Sequence, residues 1–391
     1  MPVSHENRIK QLSEKLCAMG LDIAIVIQNA DMYYFTGTIS QGFLVVSSNG
    51  EYELFVSKPF ERVKEESDLF VITKIRSIKD LFAKLKDRFN GSQLKIGLEL
   101  DTVPYSLAVF INRSIENSVI SDISPAIRDL RTIKDEFEIE MISSAGKILA
   151  KTFQEIADFN FFGKTELELS AFIESHMRLS GHQGYLRVRK FNMELYYGAL
   201  GVGKSVCHPT LFDGPVGNKG LYPAVPYFAG KLGFSSGDSV LVDLMAGYEG
   251  YIADGTRTYF LGSPSESLLE NYFFCTEISD FVASELKPGV IPSSIYNRCI
   301  EIAETRNMSE GFMGFGENRV KFIGHGLGLE IDEFPVIAKG FDAPLVSGNV
   351  IAVEPKFFTG EHGVGIENTY LVTASGGKNL IPLDNSPFII K

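Results

Sequence analysis

Cysteine is scarce in this chain of 391 residues. Its four cysteines, Cys17, Cys207, Cys275 and Cys299, are scattered, and no two stand in a CxxC spacing. That argues against a cysteine zinc site, a redox dithiol or a disulfide-stapled scaffold, and is consistent with buried, reduced thiols in a cytoplasmic protein. No apolar run reaches the roughly 18–20 residues that a membrane span requires. The opening MPVSHENRIKQLSEK is polar and helical in pattern and does not read as a signal peptide, so no membrane association is expected. Basic residues are also in deficit, 37 against 49 acidic, for a net charge of −12. Without a basic stripe, nucleic acid is not an expected partner. Low-complexity tracts and short tandem repeats are missing too.

What is there suffices for two cores. A hydrophobic content of 45% with 22% charged residues is ordinary for a globular protein, and the length exceeds what one core usually serves. Residues 1–128 alternate helix and strand signals. Ile9, Leu12, Leu16 and Met19 recur at helical spacing after Ser4, a candidate cap, and Ile23–Ile27 reads as a buried strand. The runs 43–46 and 52–56 flank Asn49-Gly50, which predicts a type I′ hairpin. Helices near 78–88 and 104–115 and strands near 95–100 and 118–123 complete a small α/β module with no cluster of chemically active side chains. After a junction at 124–136, residues 129–391 carry a long helix (about 134–158) and a second helix opened by the capping box Thr165-x-x-Glu168. Strands and turns follow to Phe260, then helices over 265–286 and 293–307, then strands again.

Five residues in this second part stand out: Asp243, Asp254, His325, Glu354 and Glu367. Asp243 and Asp254 lie in two apolar strands joined by a turn containing Gly247 and Gly250. A single Asp there would read as a turn or edge residue, but two within apolar strands point inward to something cationic. Folding the strands back is expected to set the two carboxylates across from one another. Glu354 and Glu367 repeat the pattern on a second hairpin, and paired carboxylates are costly in a core unless a cation lies between them. His325, flanked by Gly324 and Gly326, supplies a nitrogen donor, with glycines that let backbone approach a ligand. A lone histidine is more often a satisfied core or surface group; beside four carboxylates it completes a ligand set for a pair of divalent ions. Such ions would turn bound water into a nucleophile, which points to hydrolysis.

Gly198-Ala-Leu-Gly-Val-Gly203-Lys204-Ser205 fits the phosphate-loop pattern GxxxxGK[ST]. A phosphate loop needs a helix starting at its Gly-Lys-Ser, and Val206-Cys207-His208-Pro209 leaves no room for one. The segment is therefore read as a structural turn. Arg187, Arg189 and Lys190 form a small basic cluster whose ordinary reading is a solvated surface; the sharper one has Arg189 gripping a substrate carboxylate.

The blocks DLMAGYEGYIADGTRTYFLG (243–262), GHGLGLEIDEFP (324–335), VEPKFF (353–358) and GIENTYLVT (365–373) resemble the ligand-bearing blocks of the pita-bread metallopeptidases, the group of aminopeptidase P, prolidase and methionine aminopeptidase. NADMYYFTGT (29–38) and RDLRTIKDEFEIEMI (128–142) resemble its creatinase/prolidase branch. The resemblance implies an α+β chain: a creatinase-like α/β domain over 1–128 and a pita-bread catalytic domain over 129–391. It implies two divalent ions, manganese first, with cobalt, iron or zinc as alternatives. Asp243 would bind one and His325 and Glu354 the other, with Asp254 and Glu367 bridging and Glu354 acting as general base for a bridging hydroxide. A Xaa-Pro aminopeptidase or dipeptidase acting on short peptides follows, usually a homodimer. The alternatives are a non-peptidase C–N or amide hydrolase on the same fold and a non-catalytic binding protein.

The chain departs from the family pattern around the ligands. Asp332-Glu333 stands where the family writes His-Glu. His208 lies farther upstream of Asp243 than the second family histidine, with Pro226-Tyr227 nearer the expected place. Gly365 replaces an arginine common before the last Glu. His208, Asp332, Tyr227 and Arg189 are thus the candidate substrate contacts, and proline specificity is less firmly implied than metal binding.

Overall fold

The computed structural model describes residues 5–88 and 93–391. The chain divides into two compact units, Met1–Arg131 and Thr132–Lys391.

The first unit is built on a six-stranded mixed sheet of order β4-β3-β2-β1-β5-β6. Its strands are β1 (Ile23–Val26), β2 (Gln41–Ser47), β3 (Tyr52–Lys58), β4 (Ile72–Lys74), β5 (Leu94–Leu98) and β6 (Ser118–Asp122). β1 is buried along its whole length because it lies mid-sheet, as its unbroken apolar run requires. Helices His5–Met19, Ile78–Arg88 and Tyr105–Ser114 accompany the sheet, and Leu81, Leu85 and Ile111 pack with Ile23, Ile25 and Ile96 in one core. Ser4, the expected cap, lies outside the described residues. The β2–β3 turn differs from the expected type I′. Gly50 N donates to Ser47 O at 3.0 Å, and of Asn49 and Gly50 only Gly50 has positive φ, 93°. The three-residue loop is a turn closed by a left-handed glycine, so the Asn-Gly pair is offset by one position from the two-residue geometry it usually fills.

The second unit carries the chemistry. Helix Glu136–Ile156 opens on a capping box of Asp135 and Glu138, and Glu166–Leu179 on the one expected from Thr165 and Glu168. One sheet runs β17-β9-β8-β7, from β7 (Gly198–Val202), β8 (Ser239–Tyr248), β9 (Tyr251–Leu261) and β17 (Phe388–Ile390). The other runs β11-β10-β12-β15-β16, from β10 (Phe322–Gly326), β11 (Glu333–Ala338), β12 (Val350–Val353), β15 (Asn368–Thr373) and β16 (Gly376–Asn379). A short pair, β13 (Lys356–Phe358) with β14 (Gly363–Gly365), extends from the turn side of β12 and β15. Helices Glu266–Glu285 and Pro292–Thr305 bury Ile278, Val282 and Cys299 against Ile351 and Val372 of the five-stranded sheet. Tyr259 of β9 donates to Phe153 O of the long helix at 2.6 Å. Among the described residues no helix is long and apolar enough to cross a membrane.

Candidate active site

The two aspartates come from the β8–β9 hairpin, whose turn is Glu249-Gly250. Both turn residues have positive φ, 47° and 86°, and Tyr248 pairs with Tyr251, so this is the two-residue hairpin and it pins the register. Gly247 lies in the strand, not in the turn. The register corrects one expectation: Asp243 faces Thr256 and Asp254 faces Met245. The carboxylates are diagonal neighbours on one face of the hairpin, since strand side chains alternate with period 2.

The two glutamates occupy the place where a single long hairpin changes partners. Val353 pairs with Asn368, and Lys356 pairs with Gly365. Glu354 and Glu367 fall between these ladders and are free to turn inward. Glu367 is tied to β9 by backbone bonds in both directions with Thr256, at 3.2 and 3.3 Å. Buried Arg257 fastens the junction by donating to Thr256 O and Glu367 O, both at 2.8 Å, and to Asn368 Oδ1 at 2.9 Å. His325 sits on β10 between Ala352 and Val336. Its flanking glycines let the neighbouring strands pack closely against β10. A Cβ on Gly324 would stand 2.3 Å from Ala352 O, and one on Gly326 2.3 Å from Phe334 O.

All five predicted residues therefore reach one place. Asp254, His325 and Glu367 present donor atoms within 4.8 Å of one another. His325 Nε2 is 3.6 Å from Glu354 Oε1 and 3.8 Å from Asp254 Oδ2. Asp254 Oδ1 is buried without a hydrogen-bond partner. Burial and the charges of Glu367, Asp243 and Glu354 push the Asp254 carboxyl well above the ordinary range. Asp243 is pushed up to about 6 by burial, against the pull of Lys356 and with Glu367 adding to the rise. Burial draws the His325 imidazole down, but Asp332, Glu354 and Glu367 outweigh it and hold it above the usual histidine value.

A sixth side chain, missed in the sequence reading, lies among them. Lys356 is completely buried, and its Nζ is 2.7 Å from Glu354 Oε2, 3.1 Å from Glu367 Oε2 and 3.4 Å from Asp243 Oδ2. Burial alone would lower its pKa; Asp243, Glu354 and Glu367 overturn that and raise it well above the usual lysine value. The available signal was a lysine directly after Glu354-Pro355 and before two phenylalanines, a charge with no route to solvent. Thr256 was missed too; its Oγ1 donates to Glu367 Oε2 at 2.8 Å.

The acidic cluster lines a cleft whose wall includes Met193, Phe212, Met245 and Ile331. The four candidate substrate contacts fare differently. Asp332 lines the cleft, half-exposed, with Oδ1 3.7 Å from His325 Nδ1. Tyr227 lines an adjoining smaller cavity with Phe212, and its hydroxyl is 3.4 Å from Glu194. His208 is exposed and is not part of the cleft wall. Arg189 is not solvated surface but pairs with Glu330 at 3.2 Å, both buried, and does not line the cleft either. The GxxxxGKS segment forms β7 and a five-residue 3₁₀ turn, with Ser205 bonded to Glu166 and Lys204 exposed; no α-helix begins there to receive a phosphate.

This fold and cluster define a two-unit metallohydrolase architecture, and comparison with known proteins agrees. Residues 140–374 match Metallopeptidase family M24, and residues 8–133 match the Creatinase/Prolidase N-terminal domain. The chain belongs to metallopeptidase family M24 and is a metal-dependent peptide hydrolase with the pita-bread fold. It is 28% identical over 380 residues to a Xaa-Pro dipeptidase of Pyrococcus furiosus, spanning 96% of this chain and 97% of that one. The prolidase of Pyrococcus horikoshii superposes with a TM-score of 0.80 at 25% identity, covering 97% of this chain and 99% of that one. A Xaa-Pro dipeptidase of Bacillus anthracis shares the fold with a TM-score of 0.84 at 24% identity, over 99% and 100% of the two chains.

Family membership implies divalent metal ions. The residues at the Asp254 end fit one: a nitrogen donor, converging carboxylates and an orphaned buried oxygen are what a hard or borderline cation satisfies. The Asp243 end is different, because its carboxylates already converge on an ammonium group.

Proposed function

We propose that this protein is a Xaa-Pro peptidase, a dipeptidase or aminopeptidase acting on short peptides. The observation that carries the reading is the unpartnered Asp254 Oδ1, converging with His325 and Glu367 at the wall of one cleft. Relatives named as Xaa-Pro dipeptidases, similar over nearly the whole chain, support the substrate class. Asp254, His325 and Glu367 would hold a divalent ion, for which the oxygen-rich donor set favours manganese. When bound, that ion supplies a Lewis acid for the scissile carbonyl and makes water acidic enough to attack near neutral pH.

The chain's own residues do the rest. Glu354 has one oxygen on Lys356 and the other on the His325 side, 3.6 Å from Nε2. That second oxygen is placed to take the proton from the attacking water and pass it to the departing amine. Asp332, at the cleft wall beside His325, offers a carboxylate to a positively charged peptide N-terminus. Met193, Phe212, Met245 and Ile331 give an apolar wall for the side chains of a short peptide. The four free thiols suit a cytoplasmic setting.

A panel of Xaa-Pro and Xaa-Ala dipeptides, assayed with purified, manganese-loaded protein, tests the reading. Xaa-Pro substrates should turn over at least about ten-fold faster, a discrimination of ~1.4 kcal/mol. Equal rates would remove the proline assignment. Bound metal with no turnover of any peptide would favour a non-peptidase C–N hydrolase on the same fold.

A further inference from the structure

We propose that Lys356 is a built-in cation of this centre. Its ammonium takes the position between Asp243, Glu354 and Glu367, so the chain holds one divalent ion, at the Asp254–His325 end, where the five acidic and histidine ligands alone would accommodate two. The inference rests on the metal-centre reading above and departs from the ion pair expected from sequence.

The geometry is specific. One nitrogen lies 2.7, 3.1 and 3.4 Å from oxygens of three different carboxylates that belong to three separate segments of the chain. The ammonium therefore stands at their common focus, not beside one of them. An ion bound to those same oxygens would be in contact with it, like charge against like charge, where little water is present to screen them.

The side chain is also held there. Lys356 is fully buried, its carbonyl accepts from Met313 N at 2.9 Å, and its partner across the β13–β14 ladder is Gly365. A Cβ on Gly365 would stand 2.5 Å from Lys356 Cγ, so the lysine stem occupies space that any other residue at 365 would claim. Retraction toward solvent would leave the three carboxylates facing one another without a counter-charge.

The remaining donors make a single site. Glu354 divides its oxygens, Oε2 to the ammonium and Oε1 toward His325, and Asp254 Oδ1 is buried with no partner. The unmet demand for positive charge therefore lies at the Asp254 end. A lysine at the other end is a cation that no chelator strips and no competing metal replaces.

Metal counting tests this directly. Full-length protein is stripped with chelator, equilibrated with excess Mn²⁺, freed of unbound ion, and its metal content measured by mass spectrometry with calorimetry in parallel. Wild type should hold about one ion per chain. Lys356→Gly and Lys356→Ala should each hold about two, and adding Asp243→Asn should return the count to one. Two ions in wild type, or one in both folded lysine variants, overturns the proposal; the wild-type count is decisive even if a variant does not fold. No ion in wild type or variants overturns the metal-centre reading and this inference with it. One ion in wild type and two in the variants, with no peptide turned over, supports the lysine assignment and counts only against the substrate class.

Discussion

Lys356 Nζ lies 2.7 Å from Oε2 of Glu354, two residues earlier in the chain, with Pro355 between them. Residues two apart on a continuous strand point the same way, but here the ladder changes partners between β12 and β13, and both side chains turn into one buried cluster. The ammonium stabilises that cluster only because three carboxylates surround it, and they are tolerable together only because it is there.

Lys356→Met keeps most of the side-chain volume and removes the charge. In metal-free protein it should destabilise the fold by ~3–5 kcal/mol, the usual consequence of orphaning buried charges. Excess Mn²⁺ should restore part of the loss by binding the folded state alone. Urea unfolding with and without metal measures both, and a loss below ~1 kcal/mol would mean the carboxylates need no such partner.

Asp254→Asn should trade function for stability. Burial and the charges of Glu367, Asp243 and Glu354 disfavour the ionised form of this carboxyl, so a neutral isostere relieves repulsion in the metal-free protein. The variant should melt at a higher temperature than wild type without metal, take up no Mn²⁺, and lose at least ~10³-fold in kcat/KM, about 4 kcal/mol of transition-state stabilisation. Wild-type activity in a folded Asp254→Asn protein would remove this residue from the centre.

His182 supplies a pH dependence away from the metal centre. Its Nδ1 accepts from Gly247 N at 2.9 Å, fastening the β8–β9 hairpin, and burial, helped by Arg178, lowers its pKa to about 4. Between its ordinary value near 6.5 and about 4 the unfolded chain takes up a proton that the folded chain refuses. This contribution to stability is therefore intact above pH 6.5 and is lost as pH falls through that window. His182→Asn keeps an acceptor without the titration, so the stability difference between wild type and variant should shift against wild type from pH 7 to pH 4.5. A difference constant across that range would show that His182 does not titrate in this way.

Arg189→Met separates a structural role from substrate binding. The guanidinium faces Glu330, with both side chains buried. The variant should lose ~3–5 kcal/mol of stability through the partner it leaves behind. KM for a dipeptide should stay within about two-fold of wild type at a temperature where both are folded. A large rise in KM with unchanged stability would return Arg189 to the substrate site.

Much of the site was legible in the sequence because its signals are local. Aspartates inside apolar strands, a turn at Gly250 and a glycine-flanked histidine each announce a polar group forced inward, and period-2 alternation tells which side chains share a face. The start of the helix Glu166–Leu179 followed from its capping box for the same reason. What local signals could not fix was register. Asp243 meets Thr256 and Asp254 meets Met245 because the turn occupies two residues, and a slip of one would have turned every side chain over. The asparagine–glycine turn after β2 differed from its expected type by a single position.

Lys356 shows the limit most clearly. The sequence by itself determined that four carboxylates and an imidazole converge and that something positive must balance them, since buried like charges cannot stand alone. Which positive group balances them was decided only by tertiary structure. A lysine in a short strand becomes a buried cation because Gly365 leaves room for its stem and because Asp243, Glu354 and Glu367 arrive from separate segments to meet its nitrogen. Arg189 likewise found Glu330, 141 positions further along the chain, in place of the cleft. Charge pairing depends on distance in space, and sequence order does not carry that distance.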